Sequence, residues 1–142
     1  MSEAPHMLVD ADGPILICTL NRPEKLNALD RETLEIFEAA LHRFRDTPEL
    51  RVLLIRATGR YFCAGADLKA SGPMPPPPKT GSEIRENHRL RLHGMHRIYD
   101  EMEHIEKPIV VAHHATCVGG GLEMSLSCDF RLAAKSASYS FP

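Results

Sequence analysis

Apolar residues fall into short runs along this chain, and the spacing inside each run alternates between two periods. Ile15 to Leu20 is a compact run rich in β-formers and predicts a strand; Asn21-Arg22-Pro23 breaks it. Asp30 has the chemistry of an N-cap, because a short carboxylate can accept from backbone N–H groups one turn on. Beyond it Leu34, Phe37, Leu41 and Phe44 recur at helical spacing, which predicts an amphipathic helix closed by Thr47-Pro48. Val52 to Ala57 reads as a buried strand, and Thr58-Gly59 as the turn after it. Ser71 to Ser82, with prolines at 75 to 78, predicts an exposed polyproline-type loop. Ile84, Leu92, Met95, Tyr99 and Met102 mark a long helix from about Glu83 to Glu106, stopped by Pro108. Ile109 to Ala112 and Asp129 to Ala134 read as two further strands, with helix-forming residues between them. Strands alternating with helices predict an α/β fold.

Composition narrows this picture without redirecting it. The 142 residues make one domain at most, and 43% hydrophobic with 25% charged content is ordinary for a globular protein. A net charge of −2 gives no electrostatic case for nucleic acid or an anionic membrane. No apolar run has the length of a membrane span. Met1 to Pro14 lacks both a signal core and an Arg-rich amphipathic stretch, so the cytoplasm is the expected location. Cys18, Cys63, Cys117 and Cys128 are widely spaced within apolar segments, the pattern of reduced, buried thiols. The stop at Phe141-Pro142 follows a strand-like stretch directly, so the chain is expected to be cut from a longer domain.

Two glycine-rich segments carry the chemistry. One reads Arg60-Tyr61-Phe62-Cys63-Ala64-Gly65-Ala66-Asp67-Leu68, the other Cys117-Val118-Gly119-Gly120-Gly121-Leu122-Glu123. Each puts unobstructed backbone where a strand gives way to a loop or helix. Two such places can each offer one backbone N–H to a single ligand oxygen, the minimal form of an oxyanion hole. Glu123 follows the second segment closely and has the chemistry of a general base.

These segments, with Asn21-Arg22-Pro23, Asn27-Ala28-Leu29 and Cys128-Asp129-Phe130-Arg131-Leu132-Ala133, resemble the enoyl-CoA hydratase/isomerase (crotonase) superfamily in order and spacing. The resemblance runs from about residue 8 onward and covers the N-terminal half of a single family domain. It implies an α/β fold, a crotonase spiral of ββα units, here truncated, and a homo-trimer or hexamer when full-length. By resemblance, the N–H groups of Ala66 and Gly120 hold the thioester oxygen of an acyl-CoA. Lys25, Leu26, Ala28, Ala64, Asp67, Leu68 and Lys69 would line the substrate groove. Glu123 matches one of two catalytic glutamates of family hydratases; the other falls one position beyond Pro142. The implied reaction is hydration of a 2-enoyl-CoA, with isomerisation or another enolate-forming reaction as the alternative. Coenzyme A belongs to the substrate, and neither a separate cofactor nor a metal is expected. A non-catalytic fragment is the reading from another class. One departure is local: His114-Ala115, preceded by His113, stands where many members have Asn-Gly before the glycine run.

Plainer readings stand beside these. Glu123 could simply favour the first turn of a helix, and Asp67 could cap one. His88, His93 and His96 do not share one helix face, which argues against a metal site. His113 and His114, if extended, point to opposite faces, and one of them is expected to be buried and hydrogen-bonded. Met95, Met102 and Met124 read as core, and no internal repeat is strong enough to claim.

Overall fold

The computed structural model describes residues 3–70 and 77–142, with the backbone alone at 88 and 90–93. Its strands form two sheets. The larger runs in the order β1 (Met7–Asp12), β2 (Ile15–Leu20), β3 (Val52–Ala57), β5 (Ile109–His113), β7 (Phe130–Ala133). The smaller is β4 (Tyr61–Cys63), β6 (Thr116–Val118), β8 (Tyr139–Ser140). Only β1–β2 is antiparallel among the described pairs, a hairpin turned at Gly13 with φ +56°. β2–β3, β3–β5 and β5–β7 are all parallel.

From β3 onward, consecutive strands take alternate sheets. β3, β5 and β7 enter the large sheet, and β4, β6 and β8 follow them in the small one. The helices α2 (Gly81–His104) and α3 (Gly120–Leu126) then carry the chain back. The first turn of the spiral has a vestigial version: β2, a lone parallel bridge between Leu29 and Ala66, then α1 (Arg31–Asp46). This repetition of ββα units is structural and left no claimable repeat in the sequence.

The core lies between the large sheet and the helices. α1 buries Phe37, Leu41 and Phe44, while Leu16, Cys18, Leu20, Leu53, Ile55, Ile109 and Val111 come from the sheet. Alternate residues of β3 and β5 face inward, as the strand period requires. Full burial of each large apolar side chain contributes roughly 1.5–3 kcal/mol. Asp30 caps α1 as expected, accepting from the Thr33 N–H at 2.9 Å. At the other end, Lys107 donates to the carbonyls of Phe44, Thr47 and Leu50 at 2.6–2.9 Å, satisfying acceptors at the end of α1 and in the turn after it.

The structure adds to and adjusts the expected elements. β1 was not expected, because half its residues face solvent and its apolar pattern is weak. α2 begins at Gly81, two residues early, because Thr80 and Glu83 form a capping box. α3 starts inside the triple glycine, at Gly120. Of the expected proline loop, 71–76 lies outside the described residues, and 77–80 is exposed and irregular.

Candidate active site

The two glycine-rich segments meet at the ends of β4 and β6. A Cβ on Gly120 would stand 3.6 Å from the Ala66 nitrogen, and one on Gly65 would stand 3.7 Å from the Gly120 nitrogen. Both turns need glycine: Gly65 has φ +93° and Gly119 φ +53°, conformations that L side chains adopt rarely. At Gly121 the reason is space, since a Cβ there would lie 2.5 Å from the Cys63 sulfur.

Among the described residues, neither candidate N–H has a backbone acceptor. In the parallel bridge, Leu29 N–H donates to the Gly65 carbonyl at 2.8 Å and Asp67 N–H to the Leu29 carbonyl at 2.8 Å. Ala66, between them, turns its own N–H to the opposite side. Gly120 is the first residue of α3, where a helix leaves its N–H groups without internal acceptors. Glu123 lies in the first turn, its backbone N–H donating to Gly119 O at 2.9 Å and its side chain 43% exposed. His96 Nε2 of α2 lies 3.6 Å from Glu123 Oε2.

The expected groove residues converge on the same place. Pro23–Lys25 forms a single 3-10 turn, and Leu26 and Asn27 follow in the left-handed region at φ 53° and 54°. Left-handed backbone is unfavourable for such residues and persists where the surroundings enforce it. Asn27 supplies the enforcement, donating to the carbonyls of Thr58 and Tyr61 at 2.6 and 3.0 Å and accepting from the Arg22 N–H at 2.8 Å. The curl sets the 26–29 segment against 64–67, with Ala64 N–H donating to Leu26 O at 3.0 Å. Lys25 and Lys69 are exposed, Ala28 and Ala64 half-buried, and Leu68 is 82% exposed. A cavity of about 550 Å³ opens beside Ala66 and Asp67, walled on one side by Leu29, Leu34, Met95 and Ile98 and on the other by charged side chains of α1 and by Arg97.

Asp67 is engaged on two sides. One carboxylate oxygen caps the turn that follows, accepting from the N–H groups of Lys69 and Ala70 at 3.1 and 3.0 Å. The other meets the buried Arg22 guanidinium at 3.0 Å. The Ala70 backbone donor above all, with Arg22 and Lys69, holds this carboxyl below the usual range. The same Arg22 nitrogen donates to the Ala28 carbonyl at 2.9 Å and lies 3.3 Å from Asp30. Arg22 therefore ties the curl, the cap of α1 and the Ala66 segment together.

The histidine pair divides as expected. His114 is exposed and donates to the Gly59 carbonyl at 2.6 Å, bracing the β3–β4 turn. Neither His114 nor Ala115 has positive φ, so this turn does not require Asn-Gly. His113 is buried between α3 and β8. Ser125 Oγ donates to the Gly121 carbonyl at 2.8 Å, so it accepts from His113 Nε2–H at 2.8 Å. Nδ1 is then the acceptor for the Tyr139 hydroxyl at 3.0 Å. Burial first, and then the Arg131 charge, lowers the His113 pKa. The folded protein keeps this ring neutral, whereas the unfolded chain protonates it below about pH 6.5. Stability attached to His113 is therefore present above that pH and falls as the pH drops through it. Thermal melts at pH 7 and pH 5 should show the loss, and His113→Gln should flatten that part of the profile. An equally steep profile in the variant would remove His113 as its source.

Among the described residues no cluster of His, Cys, Asp or Glu could hold a metal ion; the side chains of His88 and His93 lie outside them. The four cysteines are free and buried, and burial pushes Cys63 up to about 11 and Cys117 to about 12, leaving both as inert thiols. No described helix is long and apolar enough to cross a membrane.

The sequence profile of the enoyl-CoA hydratase/isomerase family matches residues 10–142. The chain belongs to this family. A carnitinyl-CoA dehydratase of Salmonella enteritidis is 38% identical across the whole chain and 50% of its own length. A peroxisomal Delta(3,5)-Delta(2,4)-dienoyl-CoA isomerase of Arabidopsis thaliana is 28% identical over 92% of the chain and 48% of its own. Among solved structures, a probable enoyl-CoA hydratase from Mycobacterium smegmatis superposes with a TM-score of 0.81 at 31% identity, over 96% of this chain and 52% of that one. The enoyl-CoA hydratase of Bacillus anthracis gives 0.80 at 30%, over 96% and 50%. The family member described here has the crotonase fold and spans about half the length of these relatives.

Sequence reasoning missed three contributors to the site, all on α2. Met95, read as core, puts its sulfur 3.3 Å from where a Gly120 Cβ would stand. His96 faces Glu123, and Tyr99 donates its hydroxyl to the Gly120 carbonyl at 2.8 Å. The helical spacing of Met95 and Tyr99 was visible in the sequence. That their face meets the glycine run was not.

Proposed function

We propose that this family member processes an acyl-CoA thioester, with hydration of a 2-enoyl-CoA, or its reverse, as the reaction. The observation that carries the reading is the close approach of Ala66 and Gly120, two backbone donors side by side beside one carboxylate. Adding water across a double bond conjugated to a thioester pushes negative charge onto the thioester oxygen. The N–H groups of Ala66 and Gly120 stabilise that enolate-like state, each worth on the order of 3 kcal/mol. The start of α3 adds the partial positive charge of its aligned peptides. Glu123 acts as general base toward water. A second acid returns a proton to carbon and completes the addition.

Lys25, Leu26, Ala28, Ala64, Asp67, Leu68 and Lys69 form the groove for the coenzyme A portion. The acyl group enters beside Ala66, along the Leu29, Met95 and Ile98 wall of the adjoining cavity. No cofactor beyond the substrate's own coenzyme A is needed. An isomerase is the second reading, favoured by the dienoyl-CoA isomerase among the relatives. One carboxylate that removes a proton at one carbon and returns it at another suffices for that reaction.

Calorimetry tests the ligand class. Acetyl-CoA and crotonyl-CoA are expected to bind saturably, and free CoA more weakly because it lacks the thioester oxygen. Equal binding of all three would overturn the assignment of the backbone donors.

A further inference from the structure

We propose that Tyr99 is a positioning residue for the Gly120 donor, aligning its N–H through a buried hydrogen bond to the carbonyl of the same residue. This inference rests on the oxyanion role of Gly120. Three glycines in a row have wide backbone freedom, and a catalytic donor needs a fixed direction. Two of the three are held by their immediate surroundings. Gly119 donates to Ser140 O at 3.1 Å and accepts from Leu122 and Glu123 at 2.8 and 2.9 Å. Gly121 is wedged against Cys63.

Gly120 has no side chain to pack, and its N–H is the proposed donor to the thioester oxygen. Its anchor outside α3 comes from α2. Tyr99 is 4% exposed, and its hydroxyl donates to Gly120 O at 2.8 Å, while Met95 closes over the Cα. Fixing the carbonyl restricts rotation about the Cα–C bond of Gly120, and the hydrogen bonds of Gly119 hold the peptide on the other side. The N–H on the other side of that Cα is restricted with it. Tyr99 touches no reacting atom. Its hydroxyl stays protonated, since burial above all, and then the nearby Glu123 charge, raise its pKa.

The test uses a cinnamoyl thioester of CoA, whose absorbance moves to longer wavelength when its carbonyl is polarised, alongside crotonyl-CoA kinetics. Wild type is expected to shift the chromophore. Tyr99→Phe keeps the ring and its packing; it should bind the probe with a smaller shift and show kcat lower by roughly tenfold at near-constant KM, part of the effect of losing a donor outright. Replacing Tyr99 by 3-fluorotyrosine keeps the hydroxyl and should restore both. A full shift and unchanged kcat in Tyr99→Phe would overturn the proposal. So would a rise in KM with a loss of folded protein that 3-fluorotyrosine does not repair, since that is a packing role. No shift in wild type would instead overturn the oxyanion reading itself, before any variant is compared.

Discussion

In the full-length enzyme, where the second acid is present, Glu123→Gln is expected to lower turnover of crotonyl-CoA by about 10²–10⁴-fold, the usual contribution of a positioned general base. The amide keeps the shape of the side chain and its place in the first turn of α3, but it cannot accept a proton from water. Affinity should change little, because the proposed binding energy comes from backbone N–H groups at Ala66 and Gly120 and from the groove around Leu26 and Ala28. The half-exposed His96 at 3.6 Å remains in the variant, so a histidine able to take over the base would show as residual activity. The measurement is loss of the conjugated thioester absorbance at saturating substrate. Full activity in Glu123→Gln would return Glu123 to the plain role of an acidic residue at a helix start.

Arg22→Met should destabilise the protein by about 3 kcal/mol, because it leaves buried acceptors and carboxylates without their cation. Arg22 is 8% exposed, and its guanidinium touches Ala28 O, Asp67 and Asp30 within 3.3 Å. Methionine fills a similar volume and makes none of these bonds. The left-handed curl at Leu26 and Asn27 would lose one of its restraints, and with it the register of 26–29 against 64–67. Denaturant unfolding should show a lower midpoint with little change in slope. The variant should also bind acetyl-CoA more weakly, since the groove is built on that curl. A midpoint within experimental error of wild type would show that Asp30 and Asp67 find other partners.

Which parts of this architecture were readable from the sequence follows from how each part is encoded. β2, β3 and α1 were legible to the residue or nearly so, because burial on one face writes a period of two or of about 3.6 into the chain. β4, β6 and β8 have two or three residues each, too few for any period, and their pairing lies in another part of the chain. The capping box at Thr80 and Glu83 was legible in principle, as a threonine followed three residues later by a glutamate. The candidate site was readable as glycine runs and a carboxylate. What brings them together was not, because Arg22, Asn27 and Tyr99 act on backbone atoms, and a backbone carbonyl has no signature in sequence. The motif at Cys128–Ala133 illustrates the point. Asp129 accepts from the Ile109 N–H at 2.8 Å, and Arg131 donates to the Cys128 carbonyl at 2.6 Å, so its polar residues serve the joints around α3 rather than a ligand.

The strand pairing also dictates an order of events during synthesis. The β1–β2 hairpin can close as soon as residues 7–20 have left the ribosome, since its partners flank a single tight turn. Nothing else in the large sheet is that local. Ile15 waits for Val52, and Leu53 waits for Ile109, with a helix to be threaded back over the sheet each time. Parallel pairing of this kind forms slowly, because loop-closure entropy is lost before any contact repays it. Until β3 arrives, the apolar edge of β2 is an open template for other nascent chains. Translation speed through residues 21–57 therefore bears directly on the yield of folded protein, through a window in which the hairpin exists and its parallel neighbour does not.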